Sequence, residues 1–222
     1  MPNKKCSPLL SSSHTSVLLD ELLPVSHFEE IHEILIEAPA DRIFHDLRDI
    51  TIGELPMLRL LFWVRLLPAR LAGRRRFVLD ESDTLFNWVL RSGFLLLAET
   101  PSQELVFGNV GRFWRLLGSH SPNICTAKEF LSFQYPGFVK VATNFRLCKT
   151  ENPNRTWLIT ETRVHALDAK ARRLFAIYWR IIQPGSALIR QEWLRAIKCR
   201  AEGCRGSDSQ PRQNGSTASA PH

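Results

Sequence analysis

The chain has no long apolar run. No segment reaches the ~18 consecutive apolar residues that a spanning helix needs. The nearest, residues 55–72, is interrupted by Arg59 and Arg65. The opening MPNKKCSPLLSSSHTS holds two lysines but no apolar core long enough for a signal peptide. The five cysteines, Cys6, Cys125, Cys148, Cys199 and Cys204, are scattered and include no CxxC pair. That argues against a disulfide framework and a zinc site, and fits reduced thiols in a cytoplasmic setting. GxGxxG, the Walker loop, GxSxG and HExxH are all missing, which removes the commonest dinucleotide, nucleotide, hydrolase and zinc-protease readings. There are no repeats, no heptads, and no low-complexity block except the Gly, Ser, Arg, Gln and Pro tail after Ala201.

What is present is globular. Hydrophobic residues make up 44% of 222, enough for a core of ordinary size in one domain with tails. The net charge of +7 favours anionic partners without naming one. Residues 1–24 are expected to be loosely ordered, 25–201 to form the domain, and 202–222 to be disordered.

The chain turns on residues 155–197. Trp157, Leu158, Ile159 and Val164, with Thr160 and Thr162 among them, are β-formers. Asp168 then caps a helix whose apolar residues Phe175, Tyr178, Trp179, Ile182, Ile189, Trp193 and Ile197 fall at helical spacing. Pro184-Gly185 predicts a kink, or two nearly collinear helices with Ser186 recapping the second, yet the stripe keeps phase across it. Upstream, residues 28–36 read as a first strand, and Pro39-Ala40-Asp41 opens a helix through Ile50. Residues 55–71 read as a second helical piece. Strands are expected at 94–98, 104–114, 128–134 and 138–149, with a turn at 151–154. Gly108 and Gly111 inside a strand imply a bulge or a close backbone approach. Residues 72–93 give no clear pattern. The plan is α+β: a curved antiparallel sheet gripping a long, Pro-kinked C-terminal helix, with two short helices after the first strand.

Three sets of residues are candidates for chemistry. Asp41, His45, Asp46 and Asp49 cluster on a short helix, but a metal needs ligands from a second element, so a solvated face is the expectation and no metal or cofactor is called. Residues 55–77 carry six arginines, no acid and many leucines, compatible with an anionic membrane surface or with a half-buried helix followed by a basic loop. The tryptophans sit at core spacing rather than on a stacking platform, which argues against nucleic acid. On the last two strands lie Asn144, Arg146, Glu161 and Arg163, with Glu99 a further carboxylate in an apolar strand. These either form a charge ladder on the outer face of the sheet or point into an apolar space beneath the helix, where they would orient a ligand.

The stretch EILIEAPADRIFHDLRDI resembles the opening strand, Ala-Pro step and first helix of the START-like helix-grip superfamily (SRPBCC, polyketide cyclase/dehydrase-like). GRFWR, NFR at 144–146, TETRV at 160–164 and YWRIIQPGSALIRQEWLRAI resemble a bacterial branch of it. The resemblance implies a cavity between sheet and C-terminal helix that holds a small hydrophobic or amphipathic ligand such as a lipid, polyketide or aromatic metabolite. It carries no catalytic residues, so enzymatic activity stays open, with a cyclase or dehydratase acting through Glu161 or Glu99 as one reading and a membrane-associating module as another. The expected ligand-binding residues are Glu99, Phe107, Asn144, Arg146, Glu161, Arg163, Tyr178 and Ile182. Leu95, Leu97, Val139, Val141, Phe145 and Ile159 are further wall candidates.

Overall fold

A computed structural model describes residues 17–60, 80–115 and 122–203. In chain order the elements are α1 (Val17–Leu22), β1 (Phe28–Ile36), α2 (Ala40–Asp49), a 3-10 turn (Ile52–Glu54), and α3, helical over 56–60 where the described residues stop. Then follow α4 (Leu85–Arg91), β2 (Leu95–Thr100), β3 (Glu104–Gly111), α5 (Ala127–Ser132), β4 (Val139–Lys149), β5 (Thr156–Ala166) and α6 (Ala169–Glu202). The five strands form one curved antiparallel sheet in the order β1-β5-β4-β3-β2. The last strand therefore sits between the first and the rest.

The register decides which side chains meet. Phe145 lies opposite Thr160 and Leu105, and Asn144 opposite Glu161 and Val106. Alternation then sends Phe107, Phe145, Leu147 and Leu158 to one face, where they form the main core with α2 and with Trp193, Leu194 and Ile197 of α6. Val106, Val110 and Ala142 point the other way and pack with Leu19 and Leu23 of the α1 region and Phe130 of α5. We call these the inner and outer faces. A third cluster at the start of α6 gathers Val139, Val164 and Phe175.

The expected helix-grip plan is present, with local differences. α6 runs unbroken for 34 residues through Pro184. Asp168 caps it as expected, its Oδ1 accepting from the Ala171 N–H at 2.8 Å, and Gly203 ends it with φ 76°. Residues 128–134 are not a strand: α5 is a helix. Thr126 caps it by accepting from the Glu129 N–H, and Glu129 reaches back to the Cys125 N–H at 2.7 Å. That Thr-x-x-Glu pattern outweighs the aromatic content that suggests β structure. Within 72–93, residues 85–91 form α4 behind an N-cap at Thr84. The third strand ends at Gly111, short of Trp114. α1 falls inside the segment expected to be loosely ordered, and it buries Leu19 completely. The basic stretch proposed for a membrane surface lies mostly, and the C-terminal tail almost wholly, outside the described residues. No helix among the described residues is long and apolar enough to cross a membrane.

Candidate functional site

The helical stripe of α6 does not pack evenly along its length. Its C-terminal third, with Trp193, Leu194 and Ile197, is core. Its first turns pack Phe175 on Val139 and Val164. Between them a pocket of about 460 Å³ runs along the helix. Tyr178, Ile182, Ser186, Arg190 and Trp193 line it from α6, at spacings of three and four that keep them on one face. Trp88 of α4 and Leu58 of α3 face them.

Arg190 is the chemical centre of this pocket. It occupies a place in the stripe where an apolar residue would continue the core. Its Nη1 donates to Thr143 Oγ1 at 2.6 Å and to Thr160 Oγ1 at 3.1 Å, two hydroxyls on the inner face of the sheet. Thr143 in turn shares a hydrogen bond with Thr162, 3.0 Å away. The guanidinium lies 5.4 Å from the Trp193 ring centre, within cation–π range. It keeps some accessible surface only because it faces the pocket, with protein on the remaining sides. Burial draws its pKa down to about 10, with the Glu30 carboxylate opposing that fall. It remains a cation at neutral pH. Among the described residues it forms no ion pair, and its Nε and Nη2 donate to nothing.

Glu30 reaches the same region from β1. The alternation of β1 turns Glu30 and His32 inward, and Glu30 is 8% exposed. Its Oε1 is 2.9 Å from His32 Nε2, and its Oε2 accepts from Ser186 Oγ at 3.1 Å. Burial is the largest influence on this carboxyl and acts upward. The bonds from His32 and Ser186, with the charge of Arg190, outweigh it and leave the pKa below its ordinary value. A further donor stands nearby: Trp193 Nε1 is buried without a hydrogen-bond partner, a state that costs roughly 1–3 kcal/mol.

Of the residues expected from the sequence, Tyr178 and Ile182 line this pocket. Phe107 lies on the inner face but in packed core, edge-on to Phe86 with ring centres 5.4 Å apart. Phe145 is likewise filled in against Trp193. Glu99 pairs instead with Arg48 of α2 at 2.5 Å, and that guanidinium stacks over Phe86. Leu97 joins the outer cluster.

Asn144, Arg146, Glu161 and Arg163 are together, but on the outer face. Of the two placements expected for them, this is the outer face of the sheet and not the space beneath the C-terminal helix. Asn144 donates to Glu104 at 2.7 Å and accepts from the Glu161 N–H at 2.8 Å. Arg163 donates to Glu161 at 2.6 Å and to Asp20 of α1 at 2.5 Å. Glu104 also accepts from the Leu18 N–H. Nor is the set a wet ladder: Asn144 is 1% and Glu161 8% exposed, because α1 lies over them. In the helix cluster of Asp41, His45, Asp46 and Asp49, Asp46 pairs with Arg200 at 3.4 Å and His45 lies 3.2 Å from Asp49. No group of three or more potential metal ligands occurs among the described residues.

The residues that sequence reasoning missed are Arg190, Glu30, Ser186 and the inward threonines. The signal was available in part. Ser186 and Arg190 are polar interruptions of an apolar helical face, and Glu30 and His32 share the inward register of Phe28 and Ile36.

No family model matches the chain, and no curated protein matches it. Solved structures give distant likenesses. A hypothetical protein from Helicobacter pylori is 9% identical, over 82% of this chain and 93% of that one, with a TM-score of 0.37. A conserved protein from Geobacillus kaustophilus is 12% identical, over 79% and 96%, with a TM-score of 0.38. The ZhuI aromatase/cyclase from Streptomyces sp. R1128 is 13% identical, over 82% and 99%, with a TM-score of 0.30. At TM-scores this low the likenesses carry no argument by themselves. The helix-grip fold itself stands on the architecture: the sheet order and the long C-terminal helix laid on its inner face.

Proposed function

We propose that this protein binds a small amphipathic molecule in the pocket along α6. The observation that carries the proposal is the pocket itself, an apolar trough interrupted by one half-buried cation. A core built only for stability would place Leu or Met at position 190, because a half-buried guanidinium with no ion-pair partner among the described residues is costly. Tyr178, Ile182 and Trp88 supply apolar walls, and Arg190 with Ser186 supplies the polar end, the usual division of labour in a ligand site.

The test is native mass spectrometry of the purified protein, followed by denaturation and extraction. The expected result is a small molecule released on unfolding at near-stoichiometric amount, and its loss in Ile182→Trp, which fills the trough. A bare mass from the wild type, together with no uptake of added amphiphiles, would overturn the proposal.

A second reading has one specific observation behind it. Glu30 and His32 form a carboxylate–imidazole pair one hydrogen bond from Ser186 at the pocket wall. That is the equipment of acid–base chemistry, as a cyclase or dehydratase would need. It moves the expected acid–base group from Glu161 or Glu99 to Glu30. Turnover of polyketide-like substrates that disappears in Glu30→Gln, with binding kept, would support it; turnover unaffected by that change would not.

A further inference from the structure

We propose that the pocket ligand carries a single carboxylate, received side-on by Nε and Nη2 of Arg190. The inference deepens the binding proposal and rests on the pocket being a ligand site.

Three observations point to it. The guanidinium has a fixed orientation, because Thr143 and Thr160 hold Nη1 against the sheet. The Nε and Nη2 edge is then the one left without an acceptor, and that edge presents two parallel N–H groups matched to the two oxygens of a carboxylate. The carboxylate already in the neighbourhood is not available for this role. Glu30 influences Arg190 through its charge, but its two oxygens are engaged by His32 and Ser186.

Charge count narrows the class. Arg190 is one cation, and Glu30 already offsets part of the local positive charge. A monoanion supplies one charged acceptor for the Nε–Nη2 edge, which Glu30 cannot reach because His32 and Ser186 hold its oxygens. A phosphate monoester would bring a second negative charge into an apolar trough where, among the described residues, no further cation lines the wall. A neutral amide would give the Nε–Nη2 edge only an uncharged acceptor. The apolar lining from Tyr178 to Trp88 then takes the rest of the molecule, aliphatic or aromatic.

The experiment is calorimetric titration of the full chain with decanoate, decanamide and decyl phosphate at one pH and ionic strength. Decanoate is expected to bind at least about tenfold more tightly than either of the others. In Arg190→Met the preference over decanamide should shrink to within about twofold while decanamide binding persists. Arg190→Lys, which keeps charge but loses the fork, should fall between. Equal or tighter binding of decanamide by the wild type would overturn the inference, and this comparison does not depend on any variant folding. Decyl phosphate binding as tightly as decanoate would overturn it as well. If none of the three binds and extraction yields nothing, the ligand site itself is absent and the inference falls with it.

Discussion

Gly108 shows how tightly single positions are set. It pairs with Leu95 on β2, next to the register shift in which Leu97 is the extra residue. A Cβ at position 108 would come within 2.4 Å of Leu97 Cδ1 and 3.0 Å of Phe130 Cε2. Its φ is not in the left-handed region, so space and not backbone freedom demands glycine. Gly108→Ala should lower stability by about 1–3 kcal/mol in urea denaturation; an unchanged midpoint would mean that α5 moves aside freely. Glu30 gives the pH counterpart. Its folded pKa lies below the ordinary 4.5. The stability it contributes is therefore complete above that value and is lost as pH falls through the lower, folded one. Glu30→Gln should flatten the fall in stability below about pH 4.5, read from denaturation midpoints taken across that window. A steeper acid fall in the variant would contradict the assignment.

At the scale of the element, α6 departs most from local preference. Pro184 sits in its middle, where it removes the N–H that the Arg180 carbonyl would otherwise accept from. The helix continues because Phe175 on one side and Trp193, Leu194 and Ile197 on the other anchor it to the sheet. Packing outweighs propensity here, which is why a proline that reads as a break ends up inside one helix. Pro184→Ala should raise the unfolding free energy by about 1–3 kcal/mol, measured in urea. A drop would mean that the proline is held for the shape it gives the pocket wall formed by Ile182 and Ser186. α5 shows the converse error. Its Phe130-Leu131-Ser132-Phe133 content suggests a strand, while the capping pattern from Thr126 to Glu129 specifies the helix that forms.

Over the whole molecule, the fold was legible and most of the site was not. Alternation in β4 and β5, the stripe of α6 and the turn between the last two strands suffice for the sheet-and-helix plan, because each is a local pattern. Which face of β5 meets α6 is a long-range fact. Both faces of that strand are mostly buried, inner Thr160 and Thr162 as well as outer Glu161, so hydrophobicity alone could not orient it. The charged set 144, 146, 161 and 163 drew notice for its chemistry and landed under α1. Tyr178 and Ile182 were legible because a helical stripe leaves less freedom than a strand. Arg190 was hidden as one polar residue within an amphipathic helix, where its meaning comes only from Thr143 and Thr160 across the gap.

The placement of β5 between β1 and β4 has a consequence in time. Phe28 pairs with Val164, so β1 leaves the ribosome well before the strand it pairs with. At about 5–20 residues per second, β1 waits on the order of ten seconds on the ribosome before β5 is translated. Through that interval its Ile31, Ile34 and Leu35 have no sheet to join. A nascent chain stalled with Val164 still in the exit tunnel should remain protease-sensitive throughout, and one extended far enough to release α6 should become resistant in a single step.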